Sequence, residues 1–173
     1  MNWEALGALG EILGSIILIA SVFYLSRQIR AGTDQATAEA ESTVQRDFIQ
    51  IQSGLISDEK SIDVLRQGYH SFIRLSDKDK YFFHMKISGF INHFEGVLRK
   101  HEKGLTSANM VETYGNIVLL LLGSPGGREF WNVAGETFNE LSTVYINKHL
   151  DRGGDWSSME EVFPYFIDRG EMT

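Results

Sequence analysis

Residues 5–25 read ALGALGEILGSIILIASVFYL, and this stretch decides the fold of the N-terminal part of the chain. It is 21 residues long and carries a single charge, Glu11. A helix of about 20 residues is long enough to cross the hydrocarbon core of a bilayer. Its eleven Leu, Ile, Val and Phe residues favour insertion by about 5 kcal/mol, which exceeds the cost of one glutamate. The stretch therefore predicts one transmembrane helix.

Aromatic and basic residues at the two ends of this stretch predict its orientation. Trp3 and Tyr24 bracket it, and roughly 31 Å of helix separates them, so both rings are expected at the membrane interfaces. Arg27 and Arg30 follow the stretch, and no basic residue precedes it. A secretory signal peptide has basic residues first. The positive-inside bias therefore predicts an inner-membrane protein with its N-terminus outside and its C-terminal domain in the cytoplasm.

Length and composition exclude several classes of protein. A chain of 173 residues suits one domain with one appendage. The absence of cysteine excludes a disulfide scaffold, a thiol nucleophile and thiolate metal sites. A net charge of −7 argues against nucleic acid as a partner, because phosphate neutralisation requires a basic face. We expect a transmembrane anchor over residues 1–30 and a cytoplasmic helical domain over residues 31–173.

Apolar residues at helical spacing predict that this domain is all-α. The stripe from Ile29 to Leu55 predicts that the membrane helix continues, with a weak point at Gly32-Thr33-Asp34. A short helix is predicted over residues 58–67, ending at Gly68. Ser76 has N-cap spacing before a Phe-rich stripe that extends to Gly104.

The remaining helices are predicted from caps and breakers. One begins near Ser107 and stops at Gly123, and Ser124-Pro125 opens the next, which carries Phe130, Trp131 and Val133. Capping-box spacing at residues 137–140 and 157–160 predicts two last helices, the final one broken near Pro164. No alternating segment predicts a strand. The predicted fold is an N-terminal transmembrane helix that continues into a cytoplasmic helical bundle.

Two short motifs carry a resemblance to a known family. The first is Gly10-Glu11-Ile12 followed by Tyr24-Leu25-Ser26-Arg27-Gln28-Ile29-Arg30, and the second is Ser124-Pro125-Gly126-Gly127-Arg128. Both resemble motifs of a widespread group of small uncharacterised bacterial membrane proteins. The resemblance implies a single-pass bacterial inner-membrane protein with an all-helical cytoplasmic part, and it implies no activity.

Glu11 is the most informative residue of the predicted span, because an ionisable side chain in lipid needs a partner or water. Small and polar residues share its face of the helix: Glu4, Gly7, Gly10, Gly14 and Ser21. Small residues let two helices approach closely, so this face predicts self-association. Two hypotheses remain open for Glu4 and Glu11. The favoured one is a protonated Glu11 in a packed helix interface, and the other is a ring of carboxylates lining a homo-oligomeric cation or proton channel.

The second motif and the histidines are the other candidate sites. Ser124, Gly126, Gly127 and Arg128 combine helix-start amides with a guanidinium, which could bind an anion, although a tight helix–helix turn is the favoured interpretation. The five histidines lack the i, i+4 spacing of a metal-chelating helix, so no metal site is expected. They are His70, His84, His93, His101 and His149.

No catalytic residues and no cofactor are predicted, because no nucleophile–base pair or phosphate fingerprint is present. The sequence predicts a non-enzymatic protein that presents a helical interaction domain. Its expected partners are membrane lipid, further copies of itself and other membrane proteins. The acidic tail with Phe163, Tyr165, Phe166 and Ile167 is interpreted as a strap over the core, with a docking segment as the alternative.

Overall fold

The protein is all-α, as predicted. The computed structural model describes residues 3–55, 59–150 and 162, and none of these residues forms a strand. The helices, in chain order, are α1 (Trp3–Leu55), α2 (Glu59–His70), α3 (Asp77–Glu102), α4 (Ala108–Gly123), α5 (Pro125–Ala134), a 3-10 turn (Gly135–Thr137) and α6 (Glu140–Leu150).

Contacts within the chain divide it into two units, Met1–Glu39 and Ala40–Thr173, so the boundary falls inside α1. The predicted continuation of this helix beyond the apolar stretch is confirmed. Thr33 does not start a new helix, because its hydroxyl donates to the carbonyl of Ile29 within α1, at 2.9 Å. In the first unit the large apolar side chains from Leu9 to Ile29 are exposed, whereas Val44 in the second unit is 1% exposed.

The core of the second unit is built around α3. Phe83, Ile91 and Phe94 are completely buried on this helix, because the apolar residues repeat at the 3.6-residue period and form one face. Phe72 and Phe130 pack against Phe83 with ring centroids 5.7 and 5.9 Å away. The Phe-rich stripe predicted from the sequence is therefore the centre of the helical bundle.

Local chemistry explains where α3 and α5 begin and where α3 ends. The hydroxyl of Ser76 accepts a hydrogen bond from the amide of Asp79 at 3.3 Å, and Ser124 accepts one from Gly127 at 3.0 Å. Both predicted N-caps are confirmed. Gly104 has φ +69 and terminates α3, since its amide and that of the next residue donate to carbonyls in the last turn of the helix.

Two local predictions are wrong. The second helix does not stop at Gly68 but runs to His70. Gly68 instead lies under the ring of Phe83, where a Cβ would come within 2.3 Å of a ring carbon. Thr137 does not cap α6, since its hydroxyl donates to the carbonyl of Ala134 at 2.6 Å. The side chain of Asn139 instead accepts from the amide of Leu141 at 3.0 Å, at the start of α6.

Of the three apolar residues expected on α5, Val133 is 70% exposed. The neighbouring Phe130 and Trp131 hold the buried face of α5. The predicted helix opening at Ser157, its break at Pro164 and the aromatic tail lie outside the described residues.

Candidate functional site

The apolar first part of α1 is one candidate site. Among the described residues this is the one helix long and apolar enough to cross a membrane. Its most apolar stretch of 18 residues has a mean hydropathy of 2.0 and contains no buried residue. Trp3 and Tyr24, the predicted interface anchors, are 72% and 66% exposed, and Arg27 and Arg30 are exposed on the following turns. A core helix of a water-soluble protein would instead bury such a stretch.

The glycines of the predicted association face touch none of the residues that the structure describes. A Cβ built on Gly7, Gly10 or Gly14 would meet no atom within 4 Å. Glycine inside a helix costs about 0.5–1 kcal/mol relative to alanine, and no contact with the described residues offsets this cost at the three positions. Their absence of side chains leaves a shallow surface on which another helix fits closely.

The polar side chains of this part of α1 differ in whether their own helix supplies a hydrogen-bond partner. The hydroxyls of Ser15 and Ser21 donate to the carbonyls of Glu11 and Ile17, each at 2.8 Å. The carboxylates of Glu4 and Glu11 make no hydrogen bond or ion pair within the described part of the chain. In an apolar surrounding the serines are therefore satisfied by their own helix, whereas Glu11 needs a group from elsewhere.

The Ser-Pro-Gly-Gly-Arg motif forms the turn between α4 and α5. A Cβ on Gly126 would lie 1.8 Å from the carbonyl oxygen of Gly68, and one on Gly127 would lie 2.2 Å from that of Leu121. Gly126 therefore lets α5 approach α2 closely. Ser124, 4% exposed, also donates its hydroxyl to Leu121 at 2.9 Å.

Two of the helix-start amides that could have bound an anion at this motif already have partners. The amide of Gly127 donates to the hydroxyl of Ser124, and the amide of Arg128 donates to its carbonyl at 2.9 Å. The structure thus brings Ser124, Gly126 and Gly127 together as a buried turn. It leaves Arg128 exposed, with its Nε 3.4 Å from the carbonyl of Gly123.

One residue after this motif, Glu129 reaches across to the loop between α2 and α3. Its carboxylate accepts from the hydroxyl of Ser71, at 3.0 and 3.3 Å to its two oxygens, and from the amide of Ile73 at 3.0 Å. Beside this contact is an open cleft of about 690 Å³. We call it the basic cleft; its lining includes Arg66, His70 and Arg74.

Sequence reasoning missed the basic cleft. Arg66 and His70 are four residues apart on α2, so their shared helix face was visible in the sequence. Arg74 and Glu129, however, join them only through the fold, since they come from a loop and from α5. No local pattern connects residues so far apart in the chain.

The histidines are dispersed through the fold. No group of three His, Cys, Asp or Glu residues able to hold a metal ion occurs in the ranges 3–55, 59–150 and 162. His101 pairs through Nδ1 with the carbonyl of Thr106 at 2.8 Å, and His149 likewise with Tyr145 at 2.7 Å. Both contacts are local and occupy one ring nitrogen each.

His93 has the most unusual environment of the five. Its ring packs against Phe48 and Tyr114, with centroids 5.6 and 5.1 Å away. Its Nε2 is buried without a hydrogen-bond partner in the described structure. Burial lowers the pKa of His93, while Asp47 raises it and Lys100 lowers it further. The neutral ring is therefore the form that suits this contact between α1, α3 and α4.

Comparison of the chain with protein-family models, with curated protein sequences and with solved structures gave no significant match. The resemblance carried by the two sequence motifs therefore stays a prediction.

Proposed function

We propose that this chain is a single-pass membrane protein that associates through the apolar part of α1 and presents its second unit as a helical interaction domain. The observation that carries the proposal is the exposure of the apolar stretch. Its large side chains, such as Ile17 and Phe23, are 64% and 73% exposed. Monomeric soluble proteins rarely expose a contiguous apolar patch of more than a few hundred Å². Here the large apolar side chains from Leu9 to Leu25 are each more than half exposed. Lipid, or a second helix within lipid, would cover it.

The glycines and Glu11 support self-association. Gly7, Gly10 and Gly14 admit no neighbour from residues 3–55 and 59–150, and they lie close to Glu11 on the helix surface. A second copy of the same helix would bring another Glu11 nearby, so that a protonated carboxyl of one copy can donate to the carboxyl of the other. This arrangement satisfies the one polar group of the stretch that its own helix leaves without a partner.

The first experiment tests membrane attachment. Full-length protein is expressed, and membranes are separated from supernatant by ultracentrifugation without detergent. We expect the protein in the membrane fraction, resistant to high-salt washing and released by detergent. Recovery of the full-length chain in the supernatant would contradict the proposal.

The second experiment tests the association face. Gly14→Leu places a large side chain on that face and should lower the oligomeric mass measured in mild detergent by light scattering. Ala20→Leu is the matched control, because it adds a leucine to the same stretch about 120° around the helix. Equal masses for Gly14→Leu and the unmodified protein would move the interface elsewhere.

A small cation or proton channel is the second candidate function, and the position of Glu11 within the apolar stretch favours it. A carboxylate ring in an oligomer attracts cations if water reaches it. Glu11→Gln keeps the size of the side chain and removes its ionisation. Flux through liposomes that falls in Glu11→Gln would support the channel, whereas we expect no flux from either form.

A further inference from the structure

We propose that the basic cleft formed by Arg66, His70 and Arg74 binds the phosphate group of a small molecule or of a lipid headgroup. The proposal concerns the second unit and does not depend on how α1 functions. It rests on three observations: the loop that carries Arg74 is held in place, Arg74 makes no ion pair with the described residues, and the size of the cleft suits more than a bare ion.

The cleft is preformed because its loop is held on both sides. Phe72 and Leu75 are each 7% exposed, and the amide of Leu75 donates to the carbonyl of Phe72 at 3.2 Å. The three hydrogen-bond contacts to Glu129 hold the other side of the loop. Arg74 lies between these anchors, so its backbone position is set before a ligand arrives.

The charge of the cleft suits a phosphate. Two guanidinium groups and the Glu129 carboxylate give the lining a formal charge of +1 with His70 neutral, in a chain whose net charge is −7. The carboxylate oxygens of Glu129 already accept hydrogen bonds from the loop. Arg66 also lies 3.5 Å from Asp63, whereas Arg74 is exposed and makes no ion pair with the described residues. Arg74 is therefore the principal anion-binding residue.

Size and apolar lining indicate what the phosphate is attached to. A volume of about 690 Å³ is within the usual range for sites of small organic ligands and much larger than a phosphate needs. Ile73 and Leu75 also line the cleft. A phosphate ester or a phospholipid headgroup supplies both an oxyanion for bidentate contact with arginine and carbon atoms for these side chains.

The test uses the full-length chain in nonionic detergent. Inorganic phosphate is titrated against chloride at constant ionic strength, and binding is followed by the NMR signals of the arginine Nε–H groups. We expect saturable shifts of the Arg74 and Arg66 signals. Arg74→Gln should weaken phosphate binding at least about tenfold, because it removes a charge-assisted hydrogen bond to the anion. Arg74→Lys should weaken it less.

Arg46→Gln is the matched control, because it removes one positive charge from the chain, as Arg74→Gln does. Arg46 is exposed on α1 and is not part of the cleft lining. Its phosphate affinity should equal that of the unmodified protein. Non-saturable shifts, or equal weakening by Arg46→Gln and Arg74→Gln, would overturn the proposal.

A second arm separates the two sources of phosphate. The chain is placed in nanodiscs of phosphatidylcholine alone or with phosphatidylglycerol, in the absence of inorganic phosphate. A shift of the Arg66 and Arg74 signals on adding phosphatidylglycerol, with the Arg66 shift lost in Arg74→Gln, supports the lipid headgroup. Saturable binding of free phosphate without a lipid shift supports a soluble ester. If neither arm shifts the Arg74 signal, the cleft is not a phosphate site.

Discussion

Replacing Gly126 by alanine should destabilise the second unit, although alanine is the better helix former. A Cβ at this position would lie 1.8 Å from the carbonyl oxygen of Gly68 and 2.9 Å from the amide nitrogen of Phe72. Acceptable contact needs more than about 3 Å, so α5 must move away from α2 by more than about 1 Å. The obstructing atoms are backbone, and a rotamer change cannot relieve the clash.

The magnitude follows from two opposing effects. Overpacking against a rigid neighbour costs about 3 kcal/mol, and the higher helix propensity of alanine returns at most about 1 kcal/mol. The net loss of about 2–3 kcal/mol should lower the melting temperature by about 6–9 °C for a domain of this size. Thermal unfolding followed by near-UV circular dichroism measures this shift, because that signal reports the packed aromatic rings.

Gly96→Ala is the matched control for this experiment. Gly96 lies inside α3, and a Cβ there would meet nothing within 4 Å. Without a clash only helix propensity acts, so this substitution should raise stability by about 0.5–1 kcal/mol. If both substitutions raise the melting temperature, the close approach of α5 to α2 is refuted.

Three further predictions concern buried polar groups. Ser124→Ala leaves the buried amide of Gly127 without its acceptor, so it should lower the free energy of unfolding, measured with urea, by about 2 kcal/mol. Ser76→Ala removes an exposed cap and should lower it by about 1 kcal/mol. Equal losses would show that burial of the cap makes no difference. His93→Phe should raise the free energy of unfolding by about 1 kcal/mol, because it removes the unpartnered Nε2 from an aromatic cluster. Burial lowers the pKa of His93 below the ordinary 6.5, so the unfolded state binds more protons, and stability should fall as the pH drops below 6.5 towards the folded-state pKa. Urea midpoints at neutral and mildly acidic pH measure this loss, which should be smaller in His93→Phe.

The sequence alone was sufficient wherever the deciding interaction is local. The apolar length of residues 5–25 predicts a helix, and the 3.6-residue stripe after Ser76 predicts both α3 and its buried face. Ser76 and Ser124-Pro125 predict helix starts, because an N-cap bonds to an amide three residues away. Such contacts close within one turn of chain, so the residues that make them are visible together.

Tertiary structure decided what depends on residues distant in the chain. Gly68 is an example, because glycine is equally suited to end a helix and to admit a neighbouring ring, and only the position of Phe83 selects the second role. The basic cleft likewise requires Glu129 on α5 to hold the loop that carries Arg74. His93 is enclosed by rings from α1 and α4. In each case the packing of helices places together side chains that no sequence spacing relates.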